Sequence, residues 1–219
     1  GRKRPRWFRY CSSPPEEPSQ EGEDWQEKSL EHVKGIFRRD GEARKRSLTL
    51  LHFAAFHGYA PVARLLLQRG RKINARDKGG WTPFICACFA GRVSLVADFL
   101  KNEHVDVGAR DKDGKSALHH ACEEGHAAVV KLLVEDGRID VNAHDNFCGG
   151  HTPLTLACSG ARDAAVKALL QDPRVRVNLC SEEGNSPLYY AATKNHIQVG
   201  CREESIEERH FRTLHVLLG

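Results

Sequence analysis

One six-residue word recurs five times along this chain, and that recurrence constrains the fold more than any other feature. It reads Thr49-Leu50-Leu51-His52-Phe53-Ala54, Thr82-Pro83-Phe84-Ile85-Cys86-Ala87, Ser116-Ala117-Leu118-His119-His120-Ala121, Thr152-Pro153-Leu154-Thr155-Leu156-Ala157 and Ser186-Pro187-Leu188-Tyr189-Tyr190-Ala191. The first residues of the five copies lie 33, 34, 36 and 34 positions apart. A period of that size marks stacked supersecondary units, each too small to bury its own apolar face.

Each copy opens on Thr or Ser, whose hydroxyl accepts from a free amide of the first helical turn, and three copies continue with Pro, which needs no N–H there. Small residues follow, as in Ala54-Ala55, Ala87-Cys88, Ala121-Cys122, Ala157-Cys158 and Ala191-Ala192, which suits a short helix pressed against its neighbours. Glycine breaks the pattern at Gly58, Gly91, Gly125 and about Gly160. A second apolar stripe at helical spacing then begins, as in Val62, Leu65, Leu66 and in Val129, Val130, Leu132, Leu133. Short β-branched pieces follow (Ile73-Asn74, Val105-Asp106-Val107, Ile139-Asp140-Val141-Asn142, Val175-Arg176-Val177-Asn178), then a tight reversal such as Asp77-Lys78-Gly79-Gly80 or Asp111-Lys112-Asp113-Gly114.

The order of turn, Thr-Pro-Leu-His-like word, helix, glycine and helix resembles the ankyrin repeat over roughly residues 45 to 219. The resemblance implies an all-α solenoid of stacked helix pairs with projecting β-hairpin-like fingers, an L-shaped section and a concave face. It also implies that His52 and His119 tie neighbouring repeats by hydrogen bonds, whereas Ile85, Thr155 and Tyr189 leave their junctions to packing. Repeats are expected to start near 48, 81, 115, 151 and 185. The fourth finger, Asp145 to His151, is two residues longer than its neighbours, and Cys201-Arg202-Glu203-Glu204-Ser205 interrupts the fifth copy between His196 and His210.

The first residues differ. Residues 1–23, with Arg2, Lys3, Arg4, Arg6 and Arg9 and the run Ser12-Ser13-Pro14-Pro15-Glu16-Glu17-Pro18-Ser19, are expected to be a disordered basic, Pro-rich arm, because they lack the apolar surface that would offset ordering. Residues 24–44 are expected to be a capping helix: Leu30, Val33, Ile36 and Phe37 recur every three or four positions, with Asp24 and Glu27 early and Arg38-Arg39 late. Residues 45–219 form the repeat domain. The first residue, Gly1, and the apolar ending Val216-Leu217-Leu218-Gly219 read as those of a piece of a longer protein.

The formal net charge is +4, and Arg2, Lys3, Arg4, Arg6 and Arg9 supply five positive charges, so the rest of the chain stands near −1. Such a body lacks the broad basic face that phosphate-driven binding needs, and nucleic acid is not the expected partner. Mean hydropathy is −0.51 and no run of eighteen apolar residues exists, so no membrane span is expected. Eight cysteines at spacings unlike a disulfide scaffold point to a reduced, intracellular setting, cytoplasmic or nuclear.

No phosphate loop, nucleophile elbow or His-Glu-x-x-His zinc word is present, so no enzyme activity, cofactor or metal is expected. Cys88, Cys122 and Cys158 occupy one place in successive copies and read as small buried residues, too far apart to share a disulfide or a zinc ion. Cys86 and Cys88 fall on different helix faces. His119-His120 near Glu123 and Glu124 is the best acid/base cluster, and it reads as a helix surface with ordinary charges.

By the resemblance, partners sit on finger tips and on the exposed starts of the inner helices. The matching finger positions are Arg76, Lys78 and Trp81; Arg110, Lys112, Asp113 and Lys115; His144, Asn146, Phe147 and His151; Glu182, Glu183 and Asn185. The helix positions are Phe56 and His57, Phe89 and Ala90, Glu123 and Glu124, Ser159, Thr193 and Lys194. Trp81, Phe147 and Arg110 are the expected anchors, since aromatics and Arg dominate hot spots; packing of Trp81 on a neighbouring finger is the alternative. The first two fingers are mostly cationic and the last is acidic, which favours an extended partner with acidic residues toward the first repeats and basic or apolar ones toward the last. Charge reversal at Lys112 and Lys115 is expected to weaken binding. Asn74, Asn142 and Asn178 match the place where some ankyrin proteins are hydroxylated, with hydrogen bonding inside the hairpin as their first role.

The reading that results is a non-catalytic scaffold for a protein or peptide partner, monomeric in this segment. A second reading makes it the targeting segment of a larger kinase, ubiquitin ligase or ion channel, and a third gives the basic arm a nucleic acid.

Overall fold

The computed structural model describes residues 23–70, 72–146 and 149–193. The basic arm, Phe147, Lys194, the interruption of the fifth copy and the chain end after Leu218 fall outside these residues. Among the described residues there are eleven helices and a single isolated bridge, Arg110 with Ser116. The chain falls into two compact units, residues 1–105 and 106–219.

In the first unit, α1 (Glu23–Arg39) and the short α2 (Gly41–Arg46) precede two helix pairs, α3 (Leu50–His57) with α4 (Ala60–Gln68) and α5 (Pro83–Phe89) with α6 (Val93–Leu100). Helix α1 packs on α4 and α3, and α3 and α4 pack on α5 and α6 respectively. Leu30 and Val33 of α1 are buried, as their spacing predicts, because they cover the apolar side of the first pair. Phe84, Leu95 and Phe99 are almost fully buried at its centre, each contributing roughly 1.5–3 kcal/mol of burial.

The second unit repeats the arrangement with α7 (Ala117–Glu124), α8 (Ala127–Glu135), α9 (Pro153–Ser159), α10 (Asp163–Leu170) and α11 (Pro187–Thr193). Inner helix packs on inner helix (α7 on α9, α9 on α11) and outer on outer (α8 on α10). Leu118, Leu133 and Leu169 lose all exposure.

Local chemistry explains why each inner helix starts where the repeated word starts. The hydroxyls of Thr49, Thr82, Ser116 and Thr152 accept from the amides of His52, Ile85, His119 and Thr155, three residues on. Each such cap is worth about 1 kcal/mol. Where the third residue is His, its ring completes a box: Nδ1 of His52 accepts from Thr49 N at 3.1 Å and Nδ1 of His119 from Ser116 N at 3.2 Å.

Helix α9 breaks at Gly160, as its sequence predicts. Gly58 and Gly125 both sit at φ 82°, but Gly160 is right-handed at φ −88° and the left-handed place is taken by Ala161 at φ 50°.

Among the described residues the β-branched pieces and the fingers are built of turns, with the antiparallel bridge Arg110–Ser116 in one finger. An aspartate organises three of these reversals: Asp77 Oδ1 accepts from Gly79 N and Trp81 N, Asp111 Oδ1 from Asp113 N and Lys115 N, and Asp145 Oδ1 from His151 N. Two more residues in the fourth finger lengthen that loop without losing the closing bond, Asp145 N to His151 O at 2.9 Å. A turn closed by its own carboxylate needs no strand ladder to hold its shape.

Candidate functional site

In the first unit the expected residues converge on Trp81. The asparagine-free finger Arg76 to Trp81 turns its acid inward: Asp77 is buried, whereas Arg76 and Lys78 are exposed. Trp81 is half-buried and meets Phe89 edge-on at 5.0 Å. Phe89 in turn stacks on Phe56 at 6.3 Å, and the contact continues through His57 to Phe53 and to Phe37 of α1. Trp81 therefore packs on the inner helix α5.

Burial moves Phe56, His57 and Phe89 off the surface on which the sequence reading placed them, at 3%, 7% and 7% exposure. The reason is the aromatic row itself: each ring covers the next. Burial also pushes the His57 imidazole down to about 4, helped by the Arg92 charge and opposed by that of Asp40. Ala90 stays half-exposed beside this row.

His52 ties the two pairs of this unit, since its Nε2 donates to Trp81 O at 3.0 Å while Nδ1 faces its own cap. Arg92 adds a second tie, donating from Nε to Phe56 O at 3.0 Å. Its side chain lies directly over Gly58, where an added Cβ would stand 3.0 Å from that nitrogen.

In the second unit, Lys112 is exposed and Asp113 half-buried, but Lys115 is only 3% exposed. Placing Lys115 at a finger tip is thus corrected: its ammonium pairs with the Glu123 carboxylate, and its amide binds Asp111. The view of His119-His120 as an ordinary helix surface is corrected as well. His119 is fully buried, with Nε2 donating to Ala143 O at 3.0 Å and His151 O at 3.2 Å. His120 is 4% exposed and meets Asp111 Oδ2 at 2.9 Å. Burial drives the His119 ring down to about 3, with the His120 charge and the Arg110 and Lys115 charges adding to it. Against its own burial, Asp111 is held below the usual carboxylate range by the His120 hydrogen bond and charge and by the Lys115 and Asp113 amides.

The remaining finger residues bind one another. Arg110 donates from Nη1 to His144 O at 2.6 Å, so this expected anchor already clamps two fingers. Asn146 N donates to Asp113 O at 2.8 Å and Glu182 N to Gly149 O at 2.7 Å. Gly114 at φ 75° is required there, because a Cβ would stand 2.6 Å from Asn146 N. His144 donates from Nδ1 to Gly150 O at 2.8 Å, and the ring of His151 meets Tyr190 edge-on at 5.1 Å. Glu182 and Glu183 are exposed, with Asn185 Nδ2 donating to Glu183 at 3.2 Å. Glu124 and Ser159 are half-buried, and Thr193 closes α11.

Asn74 and Asn142 reach further than expected. Their side-chain amides donate to His104 O and Arg174 O, thirty-odd residues on. Asn178 is exposed. Sequence reasoning missed Arg92 and Arg162 altogether. Both stand ten positions after the opening Thr of their copies, and that shared register was the available signal. Arg162 donates from Nε to Glu123 O at 3.1 Å and lies over Gly125.

Cys86, Cys88, Cys122 and Cys158 are buried thiols, and burial raises the last three, Cys158 to about 12. Among the described residues no three metal-binding side chains gather, and no helix is long and apolar enough to cross a membrane. A groove of about 410 Å³ between α8 and α10 is lined by Val134, Ala168 and Pro173, with its acids Glu135 and Asp172 facing Lys131 and Arg174. None of the expected site residues lines it.

Paired helices, capped words and aspartate-closed fingers are all on one register, and a family description of ankyrin repeats, three copies at a time, matches residues 26–102, 51–145, 95–179 and 139–202. The chain belongs to the ankyrin repeat family. Its fold class is accordingly the all-α ankyrin solenoid, and ankyrin repeats serve protein–protein interaction. Protein phosphatase 1 regulatory subunit 12A of Mus musculus and that of Rattus norvegicus are each 46% identical to this chain over 44 residues. That stretch is 20% of this chain and 4% of either relative, so the chain spans a small part of their length.

Proposed function

We propose that this ankyrin-repeat chain is a non-catalytic recognition module, running from the capping segment 24–44 through the repeats of 45–219, that holds an extended segment of a partner protein. The observation that carries it is the surface around Trp81. A half-exposed indole is backed by the rigid row of Phe89 and Phe56, and Arg76 and Lys78 stand exposed on the same finger while that finger's acid is buried in its turn. Large aromatics held in place by packing lose little freedom on binding and dominate interface energetics.

The partner segment that fits this surface carries an apolar or aromatic side chain with acidic residues beside it. In the second unit, exposed Lys112 favours acids, and exposed Glu182 and Glu183 favour basic residues. Lys115 leaves the list of contacts because its charge is already paired inside.

A displayed peptide library selected against the chain tests the proposal. Acidic peptides with an apolar anchor should enrich, and Trp81→Ala should weaken their binding about thirtyfold, a loss of about 2 kcal/mol. Far-ultraviolet circular dichroism confirms that the variant is folded. Enrichment of peptides indifferent to Trp81→Ala would remove the basis of this reading.

The regulatory-subunit name carried by the phosphatase relatives favours one refinement: the recognition module serves a regulatory role.

A further inference from the structure

The segment joining α1 to the first repeat holds a feature that recognition by the fingers does not use. It reads Asp40-Gly41-Glu42-Ala43-Arg44-Lys45-Arg46-Ser47-Leu48-Thr49. Ser47 is exposed and sits at φ 61°, the left-handed place that ends α2. Three cationic residues precede it directly, and an apolar residue follows.

We propose that Ser47 is a phosphorylation site for an arginine-directed protein kinase, and that the phosphate loosens α2 and with it the seating of the α1 cap. Arg44 stands three positions before the hydroxyl and Leu48 one position after it. Acidic pockets of such a kinase read the first, and a hydrophobic pocket reads the second. In the transfer, Ser47 Oγ attacks the γ-phosphorus of ATP; the Oγ–P bond forms, the P–O bond to ADP breaks, and the serine proton passes to the kinase's base.

A kinase cleft needs its substrate extended, so the segment has to open. Helix α2 is six residues long, far below the length at which a helix holds itself in water. Ala43 N donates to Asp40 Oδ1 at 3.2 Å at its start and Leu48 N to Ala43 O at 3.0 Å at its end. Opening the last turn breaks the second bond, and short segments of this kind open locally at low cost.

Competing hydroxyls are placed less well. The opening Thr82, Ser116 and Thr152 are buried and committed as caps, and Thr49 is engaged with His52. Ser94 is exposed but lies inside α6, with Arg92 two positions before it. Once added, the phosphate brings nearly two negative charges to the carbonyl end of α2, where the helix dipole is already negative. Because α1 packs on α3 and α4, loosening this link changes how firmly the cap covers the first pair.

The test incubates the whole chain with ATP and a purified arginine-directed serine/threonine kinase, followed by site mapping by mass spectrometry and by hydrogen exchange. Ser47→Gly, which suits the left-handed backbone and keeps the fold, should abolish incorporation at this site. Arg44→Ala should lower the rate at least tenfold. In the phosphorylated chain the Leu48 amide should exchange at least tenfold faster, while the amides of α5 stay unchanged. The inference is overturned if phosphate lands at Ser94 or elsewhere but not at Ser47, if Arg44→Ala has no effect on the rate, or if Leu48 exchanges equally with and without phosphate.

Discussion

Two buried histidines show how single residues set the conditions under which this chain stays folded. His52 and His119 occupy one place in two copies, and both use Nδ1 as acceptor for their own cap and Nε2 as donor to the next finger. Only the neutral ring can do both, and for His119 burial enforces it. His57 has no such bonds to satisfy, but it lies inside the aromatic row and is also held neutral. In the unfolded chain these rings take up a proton near pH 6.5; in the fold His57 does so at about 4 and His119 at about 3. Between those limits the unfolded state binds more protons, so stability rises with pH. It is fully present above about pH 6.5 and is lost as the pH falls, at about 1.4 kcal/mol per pH unit for each ring. Urea titrations from pH 7 to pH 4.5 should show this decline, and His57→Phe should roughly halve its slope. An equal slope in His57→Phe would mean that this ring is not held neutral. Of these features the sequence showed the shared His register, but not the burial of His57 or His120, because burial depends on which helix lies alongside.

Between elements, arginines do what the repeated word cannot. Arg92 and Arg162 each reach back over the glycine that closes the previous inner helix and bind the carbonyl two residues before it. At Gly125 two demands coincide, a φ of 82° and an approach of 2.6 Å between an added Cβ and the Arg162 chain. Gly125→Ala should thus cost more than conformation alone, about 2 kcal/mol, whereas Gly137→Ala, at φ 75° in open space, should cost about 1 kcal/mol. Ala161 is the opposite case, a side chain where its copies have the left-handed glycine, and Ala161→Gly should change stability by +0.5 to +1 kcal/mol at about that magnitude. Chemical denaturation of the three variants checks the order. Helix starts, pair boundaries and the longer fourth finger were legible because capping, proline and period are local properties. The choice of Ala161 over Gly160 was not, since either residue can end that helix and the outgoing chain direction decides.

For the molecule as a whole, charge is the property that binding should report. The exposed cations Lys78 and Lys112 each sit on a finger whose turn-forming acid, Asp77 or Asp111, is buried and accepts from backbone amides. Affinity for an acidic peptide should fall as salt rises from about 50 to about 300 mM, over which screening shortens from roughly 14 to 6 Å. Lys78→Glu with Lys112→Glu should weaken binding at low salt and flatten that dependence; titration calorimetry at the two salt levels reads both, and an unchanged slope would argue against an acidic partner. The ankyrin fold and, among the described residues, the starts of the inner helices and their caps followed from the sequence alone, because each rests on contacts within a few residues or on a period repeated along the chain. Which finger residues face outward was decided only by tertiary structure. Lys115, Phe56 and Phe89 turn inward, and Arg110, Asn74 and Asn142 reach to the neighbouring copy, because a side chain at a turn takes its direction from a surface thirty-odd residues away.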